Sequence, residues 1–367
     1  MPGDNLIRNL AYWARVRPDA KAVDFDGAGL TWLELEKRSN QIAHGLLARG
    51  LGKGDTVGLL MRNRIEFPEA ILGTLKAGGT VVLLNMRYTP TEIRHPIADA
   101  ALSIIVSDAE CMDKLVGVDS YAPDTRVVTV DPVDGYGHLD DLRSADESRP
   151  EIAVEAEDIA FVCYTSGTTG LPKGAMISHG AVYAAGAAKT YAVGQSWKDR
   201  MLIPMPMAYT AGSIFFVRDG IQSGMTTYYL SRPTADAMFD LIEREKITAV
   251  ESVAVLFETM LKSPRFETAD LSSLRRAVTG GQYVSKELLR RWQELGVDLG
   301  QGYGQTEAAG SYITILTAEE AQRKMGFAGR AMPNLEVKVV GDDGEELAPM
   351  QSGEILVRGA SMMSGYL

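Results

Sequence analysis

The sequence contains few of the residues from which disulfide frameworks and metal sites are built. Among its 367 residues, Cys111 and Cys163 are the two cysteines, too few to cross-link a fold. The histidines are also few and lie far apart in the chain: His44, His95, His138 and His179. Because a zinc site needs several such ligands close together, this scarcity argues against one. Low cysteine usage is typical of a cytoplasmic protein, and we expect that location.

Positive charge is scarce as well. The 37 lysines and arginines are outnumbered by 48 acidic residues, so the net charge is −11. Such a chain has no basic field to hold nucleic acid or anionic lipid, and we expect neither as a partner. Long apolar runs are missing too: no stretch approaches the roughly eighteen residues of a membrane span, and residues 1–20 do not resemble a signal peptide. An anionic ligand would therefore need local donors or a metal ion.

Instead, the chain shows a regular alternation of apolar strands and amphipathic helices. The predicted strands are residues 57–61, 80–85, 103–108, 126–131, 159–164, 201–205, 225–230, 248–253 and 275–279. Unbroken apolar strands of this kind are typical of parallel sheets, which are buried on both faces. Their alternation with helices predicts an α/β fold, a mainly parallel sheet with helices on both sides.

Three helices have recognisable ends or faces. Thr31 and Glu34 form the pattern of a capping box, which predicts a helix that starts there. Thr89 is expected to cap a second helix, and Pro96 should cut that helix short. A third helix, over residues 285–296, has a continuous apolar face.

The character of the chain changes near residue 330. Residues 134–158 are polar and acidic and are predicted to form a surface connection. Residues 335–359 show the pattern strand, acidic turn, strand, which indicates a β hairpin. We therefore predict an α/β core over residues 1–330 and the beginning of a small β subdomain over residues 331–367.

The stretch most suggestive of function is "YTSGTTGLPKG", residues 164–174, directly after an apolar strand. Glycines let backbone N–H groups approach phosphate oxygens closely, hydroxyl groups add donors, and Lys173 adds a cation. The spacing is not that of a P-loop, because Pro172 stands where a glycine would precede the lysine. A flexible surface linker is the alternative, and the preceding strand argues against it. The predicted phosphate-binding residues are Thr165, Ser166, Gly167, Thr168, Thr169, Gly170 and Lys173.

A second motif, "GYGQTE", lies about 140 residues later. Tyr303 could stack on an adenine ring, and Gly304 would allow close approach of a ligand. Glu307 is a hard oxygen ligand suited to Mg²⁺. A Thr-Glu pair alone could equally be the capped start of a helix, and "TGGQ" (279–282) alone could be a plain β-turn.

Together these motifs resemble those of the adenylate-forming superfamily, which includes acyl-CoA synthetases, nonribosomal adenylation domains and firefly luciferase. The resemblance extends over nearly the whole chain, from "LTWLELEKRSNQIAHGLLARGLGKGDTVGLLMRN" to "SGEILVRGASMMSGYL". It implies the large N-terminal domain of that superfamily. The implied fold is two mainly parallel sheets sandwiched by helices, plus the start of a small distorted β-barrel.

The resemblance also implies an activity, the ATP-dependent activation of a carboxylic acid to acyl-AMP and then to an acyl-CoA thioester. The implied small molecules are the acid, ATP, Mg²⁺ and coenzyme A. The implied catalytic residues are Lys173, Thr306 and Glu307, with Glu307 as the metal ligand. The implied nucleotide contacts beyond the first loop are Gly280, Gly281, Gln282, Gly302, Tyr303, Gly304, Gln305 and Thr306. The implied acid contacts are Tyr209, Thr210, Gly280, Gly304, Ala308 and Ala309.

The block "PMPMAYTAGSIFF" (204–216), which corresponds to the family's acyl site, suggests the kind of acid. It contains no acidic residue that could hold an α-amino group, and no cation for a second carboxylate, because Arg218 and Asp219 come after it. Its methionines and phenylalanines favour a hydrophobic monocarboxylic acid, fatty or aromatic. We expect the ring of Tyr209 at the wall of this pocket, near Gly280 and Gly304.

Several expectations concern what the chain does alone. In the superfamily, an aspartate that binds ribose and a C-terminal domain with a lysine follow the point where this sequence ends, so we expect weak adenylation by these 367 residues. The loop around residues 168–171 is expected to be poorly ordered without nucleotide. The alternatives are an acyl- or nucleotide-binding module without turnover, and a ligase that loads a carrier protein. The sequence is compatible with an oligomer.

Overall fold

The computed structural model describes residues 5–166, 170–297 and 299–367. Its strands are β1 (Lys21–Phe25), β2 (Ala28–Thr31), β3 (Thr56–Leu60), β4 (Thr80–Leu83), β5 (Ile104–Ser107), β6 (Arg126–Thr129), β7 (Gly137–His138), β8 (Ile159–Thr165), β9 (Lys173–Ser178), β10 (Arg200–Leu202), β11 (Thr226–Tyr229), β12 (Ala249–Val253), β13 (Arg276–Gly280), β14 (Leu299–Gln305), β15 (Ser311–Leu316), β16 (Arg330–Ala331), β17 (Leu335–Val340), β18 (Glu354–Gly359) and β19 (Gly365–Tyr366). The elements between them are helical.

The α-helices are α1 (Leu6–Val16), α2 (Trp32–Ala48), α3 (Glu66–Lys76), α4 (Arg94–Asp99), α5 (Val118–Tyr121), α6 (His179–Val193), α7 (Thr210–Phe215), α8 (Ala235–Glu245), α9 (Ala254–Leu261), α10 (Lys286–Glu294) and α11 (Ala318–Arg323). Shorter 3₁₀ segments are Ala109–Leu115, Leu139–Leu142 and Thr306–Ala308, and a π-helical turn spans Phe216–Ile221.

Two large sheets dominate the fold. The first has nine strands in the order β16-β15-β14-β13-β12-β10-β11-β1-β2, and its pairs from β14 to β1 are parallel. The second has eight strands in the order β19-β9-β8-β4-β3-β5-β6-β7, and its pairs from β8 to β7 are parallel. The predicted α/β fold with two mainly parallel sheets is confirmed. The hairpin β17-β18 forms a separate sheet, and the division of the chain near residue 330 stays a prediction.

Helices lie between and outside the two sheets. One buried apolar cluster joins strands of both sheets to α1, α2, α3 and α6, which places these helices in the middle layer. A second cluster packs α8, α9 and α10 on the outer face of the nine-stranded sheet, and a third packs α4 and α5 on the eight-stranded sheet. This layering explains why α3 is buried over most of its length. Among the described residues, no helix has the length and apolar character of a membrane span.

Local sequence signals set most element ends, with one correction. The side chain of Thr31 accepts a hydrogen bond from the Glu34 N–H, and the Glu34 carboxylate accepts one from the Thr31 N–H, so the predicted capping box starts α2. Thr89 and Glu92 make the same pair of bonds, but the α-helix itself begins at Arg94 and contains Pro96. Pro96 is tolerated because it lies in the first turn, where its missing N–H would have no partner in the helix.

His179, at the start of α6, gives the fold a testable sensitivity to acid. Burial lowers the pKa of this imidazole from 6.5 to about 4, although Asp158 acts in the opposite direction. The unfolded chain therefore binds one more proton than the folded chain between pH 6.5 and 4, and folding stability falls as the pH falls through that window. At about 1.4 kcal/mol per pKa unit, the total loss is on the order of 3 kcal/mol.

We expect the variant His179→Gln to lose less stability between pH 7 and pH 4 than the parent chain. Urea unfolding at a series of pH values measures this difference. The same substitution at the partly exposed His138, His138→Gln, shows how much of the change comes from the substitution itself. Parallel pH profiles for the parent and His179→Gln would show that His179 does not titrate as described.

Candidate active site

The predicted site residues meet where the two large sheets approach each other. Strands β12, β13 and β14 are parallel neighbours, so their carboxyl ends lie at one edge of the nine-stranded sheet. The carboxyl end of β8 in the other sheet faces the 3₁₀ turn after β14: the hydroxyl of Thr165 lies 3.3 Å from Oε1 of Glu307. Ligand sites in open α/β sheets form at such strand ends.

Glu307 is the residue through which the parts of the site connect. Its Oε1 accepts hydrogen bonds from the hydroxyl of Thr165, at 3.3 Å, and from the hydroxyl of Tyr366, at 2.9 Å. Its backbone carbonyl accepts a bond from the N–H of Met363. The carboxylate is thus fixed against the base of the glycine-rich loop.

The loop that follows β8 is held at both ends. Thr165 on β8 pairs with Lys173 on β9, so the ends of the loop are adjacent. His95 lies 2.8 Å from the carbonyl oxygen of Pro172, and the hydroxyl of Tyr164 donates to Asp99 at 2.7 Å. Burial and this hydrogen bond raise the pKa of Tyr164, which keeps its hydroxyl a donor.

Part of the predicted phosphate-binding loop lies outside the described residues. These residues are Gly167, Thr168 and Thr169, and the expectation of poor order over residues 168–171 falls on them for Thr168 and Thr169. Ser166 and Gly170 are described and flank the gap, and Gly170 has φ +106°, which favours glycine.

Tyr366 is not among the predicted site residues, yet it contacts two of them. It lies on β19, which pairs with β9, and its ring is 5.5 Å from the ammonium of Lys173. The hydrogen bond to Glu307 raises the pKa of its hydroxyl. The phenol therefore links Lys173 and Glu307, the two residues of opposite charge in the predicted site. Its position depends on pairing between strands almost 190 residues apart, for which the local sequence offers no signal.

A cavity of about 180 Å³ opens beside the Glu307 turn. Its walls include the glycines predicted from the sequence and residues of α7 and β15: Gly280, Gly281, Gly302, Gly304, Gln305, Thr306, Thr210, Phe215, Ser311 and Tyr312. The hydroxyl groups of Thr306 and Thr210 lie 3.4 Å apart. A Cβ atom on Gly302 would stand 2.3 Å from the ring of Tyr312, so glycine at this position lets the ring lie against the strand. The cavity thus has an aromatic wall and a glycine-rich wall.

Three of the predicted acid contacts do not line this cavity, and they stay predictions. Tyr209 does not line this cavity: it precedes α7, and its ring faces the guanidinium of Arg87, at 5.9 Å. Ala308 and Ala309 are fully buried in apolar clusters and are not among the residues that line the cavity. Residues of the following strand, Ser311 and Tyr312, occupy the wall instead.

The remaining predicted nucleotide contacts are accessible. Gly281 and Gln282 are exposed at the end of β13, and Tyr303 is 37% exposed on the opposite side of β14 from the cavity glycines. An aromatic side chain this accessible has a free face on which a planar base could stack. Gln305 is also exposed.

Four charged residues unmarked by any sequence motif form a buried cluster behind the aromatic wall. We call Lys189, Arg218, Asp219 and Glu251 the four-charge cluster. Arg218 donates to Asp219 at 2.6 Å and to Glu251 at 3.0 Å, and Lys189 donates to Asp219 at 2.8 Å and also pairs with Glu251. Burial acts to raise the pKa of Asp219, but Arg218 and Lys189 outweigh it and hold that pKa at about 2. Two cations and two anions therefore balance without solvent.

The donor set around Glu307 fits a magnesium ion that is held mainly by phosphates. Among the described residues, no group of three or more His, Cys, Asp or Glu side chains could hold a metal alone. The residues present are one carboxylate, Glu307, and the hydroxyl group of Thr165. Mg²⁺ prefers hard oxygens and commonly combines one or two carboxylates with substrate phosphates and water. Glu307 is thus the residue that would hold it.

Comparisons with known proteins identify the family. The family model described as AMP-binding enzyme matches residues 10–367. Feruloyl-CoA synthase from an Amycolatopsis species is 32% identical over 353 residues, which cover 96% of this chain and 70% of that protein. Indoleacetate–CoA ligase from Aromatoleum aromaticum is 33% identical over 357 residues, which cover 96% of this chain and 70% of that protein.

Solved structures give the same result. The inhibitor-bound N-terminal domain of FACL13 from Mycobacterium tuberculosis superimposes with a TM-score of 0.91 at 28% identity, covering 99% of this chain and 91% of that one. o-Succinylbenzoate CoA synthetase from Bacillus subtilis, in complex with its acyl-adenylate, superimposes with a TM-score of 0.86 at 27% identity over 98% of this chain and 70% of that one. The chain belongs to the AMP-binding enzyme family.

Proposed function

We propose that this chain supplies the nucleotide and acid sites of an AMP-forming acid–CoA ligase, and that its acid is a hydrophobic monocarboxylic acid, fatty or aromatic. The observation that carries the proposal is the meeting of Thr165, Lys173 and Glu307 beside the cavity whose wall contains Thr306. The phosphate-binding groups and a cavity of acyl size then lie together at the strand ends where the two sheets meet. The relatives' names, feruloyl-CoA synthase and indoleacetate–CoA ligase, support an acid–CoA ligase.

The first step of the proposed reaction joins the acid to AMP. A carboxylate oxygen attacks the α-phosphorus of ATP, the bond to the β-phosphate oxygen breaks, and pyrophosphate leaves. Phosphoryl chemistry of this kind needs alignment and charge stabilisation rather than a protein nucleophile. Two side chains of the site provide this stabilisation. Lys173 neutralises charge on the β- and γ-phosphates, and the hydroxyl of Thr306 donates to the α-phosphate.

Glu307 and Tyr303 position the nucleotide in this scheme. A magnesium ion held by Glu307 would supply positive charge next to the phosphate oxygens. The accessible ring of Tyr303 stacks on the adenine base. In the second step, the thiol of coenzyme A attacks the acyl carbon, and AMP leaves with the oxygen that joined it to the acyl group.

Removal of the Lys173 charge tests the assignment of the phosphate site. We expect Lys173→Met to lower acid-dependent ATP–pyrophosphate exchange by at least tenfold, since a cation beside developing phosphate charge is lost. The control is Lys37→Met, which removes a surface lysine of α2 that pairs with Glu147. Exchange that is equal in Lys173→Met and in the control would contradict the assignment.

Two alternatives remain distinguishable by experiment. A binding module without turnover would bind a hydrolysis-resistant acyl-AMP mimic but exchange no pyrophosphate with any acid. A ligase that loads a carrier protein would exchange pyrophosphate but transfer no acyl group to coenzyme A. Measurement of mimic binding, exchange and acyl-CoA formation on the same preparation separates all three.

A further inference from the structure

The cavity beside Glu307 has a second, larger cavity behind it on the same face of the nine-stranded sheet. The larger cavity measures about 640 Å³ and is lined by the end of α6, the start of β13 and residues of β15 and α11. Val278 lines the larger cavity and Gly280 the smaller one, and residues two apart on a strand point to the same face. The two spaces therefore follow one another along β13.

The four-charge cluster occupies the position between them. Glu251 on β12 pairs in register with Val278, and Val253, which lines the smaller cavity, pairs with Gly280. Lys189 lies one helical turn before Ala192 and Val193, which line the larger cavity. The cluster thus lies beside the part of β13 that lines the larger cavity and behind the aromatic wall of the smaller cavity.

Two aromatic rings separate the smaller cavity from the charges. The guanidinium carbon of Arg218 lies 4.2 Å from the ring centroid of Phe215 and 5.6 Å from that of Tyr312. Arg218 also donates to the hydroxyl of Ser311 at 3.0 Å. Phe215, Ser311 and Tyr312 all line the smaller cavity, so Arg218 of the cluster supports three of its lining residues.

Stability alone is a weak reason for such a cluster. Buried ion pairs contribute little net stability compared with apolar side chains of similar volume, because desolvation offsets their attraction. At the end of an acyl pocket, however, buried charges resist a longer ligand more strongly than apolar side chains do. A methionine or leucine wall can repack around a longer ligand, whereas an alkyl chain that entered the cluster would separate ions in a medium of low dielectric constant.

We propose that the four-charge cluster is a fixed stop that limits the acid to an acyl part of about one aromatic ring, and that it excludes long-chain fatty acids. This inference rests on the proposed function and narrows its substrate class. The volume agrees: an apolar cavity of about 150 Å³ holds benzene, and the smaller cavity measures about 180 Å³. Lys189, Arg218, Asp219 and Glu251 act as specificity-determining residues through Phe215 and Tyr312.

A pair of hydrolysis-resistant acyl-AMP mimics tests the stop on the unmodified 367-residue chain. Benzoyl and dodecanoyl sulfamoyl adenosine share the nucleotide and differ in the acyl group alone. We expect calorimetry to show benzoyl binding at least tenfold tighter, in line with the roughly tenfold or greater effects of misfit in apolar pockets. Dodecanoyl binding as tight as benzoyl binding, or tighter, would overturn the stop. Binding of neither mimic would overturn the proposed function, and this inference with it.

A second experiment removes the four-charge cluster. In Lys189→Ala/Arg218→Ala/Asp219→Ala/Glu251→Ala, all four charges go together, so none is left unpaired, and the rings of Phe215 and Tyr312 lose the ions behind them. We expect the preference for benzoyl over dodecanoyl to shrink by at least tenfold in this variant. The matched control, Lys76→Ala/Glu36→Ala, removes a buried ion pair between α2 and α3 and should keep the parental preference. An unchanged preference in a folded cluster variant would overturn the stop, and if that variant does not fold, the comparison on the unmodified chain decides.

Discussion

Replacement of Glu307 by glutamine is expected to lower kcat/KM for acid-dependent ATP–pyrophosphate exchange by about a hundredfold or more. Glutamine keeps the shape of the side chain, and its amide oxygen can still accept from the hydroxyl groups of Thr165 and Tyr366. What it removes is the negative charge, which strengthens the attraction between the protein and a hard divalent cation. The loss should therefore appear in exchange and in the magnesium dependence, with the melting temperature nearly unchanged.

The matched control for this change is Glu294→Gln. Glu294 lies on the exposed face of α10, where it pairs with Arg290, so the same chemical change there is remote from the cavity. We expect exchange within about twofold of the parent, because an exposed ion pair contributes little. Exchange at the parental level in Glu307→Gln would show that this carboxylate has no part in the reaction.

Substitution of Gly302 by alanine is expected to close the acid cavity. The added methyl group would stand 2.3 Å from one carbon of the Tyr312 ring and 2.4 Å from another, so the ring must move. Phe215 and the four-charge cluster lie behind the ring, and the free direction is into the cavity of about 180 Å³. We expect KM for the acid to rise at least tenfold, with a stability loss of about 1–3 kcal/mol.

A glycine with free space around it provides the comparison. At Gly137 on β7, a Cβ atom would meet its nearest neighbour at 3.7 Å, an ordinary contact. Gly137→Ala should therefore leave KM for the acid and the stability nearly unchanged. If Gly302→Ala kept the parental KM for the acid, the cavity beside Glu307 would not be the acid site.

Features with a local physical cause could be predicted from the sequence. The capping box at Thr31 needs two side chains three residues apart, and the buried strands need an unbroken apolar run, so both are visible in a short window. The glycine-rich loop and the Glu307 turn were found for the same reason. That the two lie together could be inferred through the family resemblance alone, because they belong to different sheets and are about 140 residues apart.

Features that depend on tertiary contacts could not be predicted in this way. Arg218 and Asp219 were noted as lying outside the acyl block, yet they meet Lys189 and Glu251 in the interior, about 30 residues away on either side. Tyr209 illustrates a different limit. It belongs to the block that resembles an acyl site, but its ring faces the guanidinium of Arg87 just before α7, a contact between residues more than 120 positions apart.

The central claim is that a carboxylate oxygen attacks the α-phosphorus of ATP at the Glu307 site. An acid labelled with ¹⁸O in its carboxylate, incubated with ATP, Mg²⁺ and hydroxylamine as the acyl acceptor, tests it most directly. Cleavage of the acyl–oxygen bond in acyl-AMP leaves that oxygen on phosphorus, so mass spectrometry should find AMP with one ¹⁸O atom, and the rate at which labelled AMP forms should fall by about a hundredfold or more in Glu307→Gln. Formation of ADP, or of AMP without label, would contradict the claim.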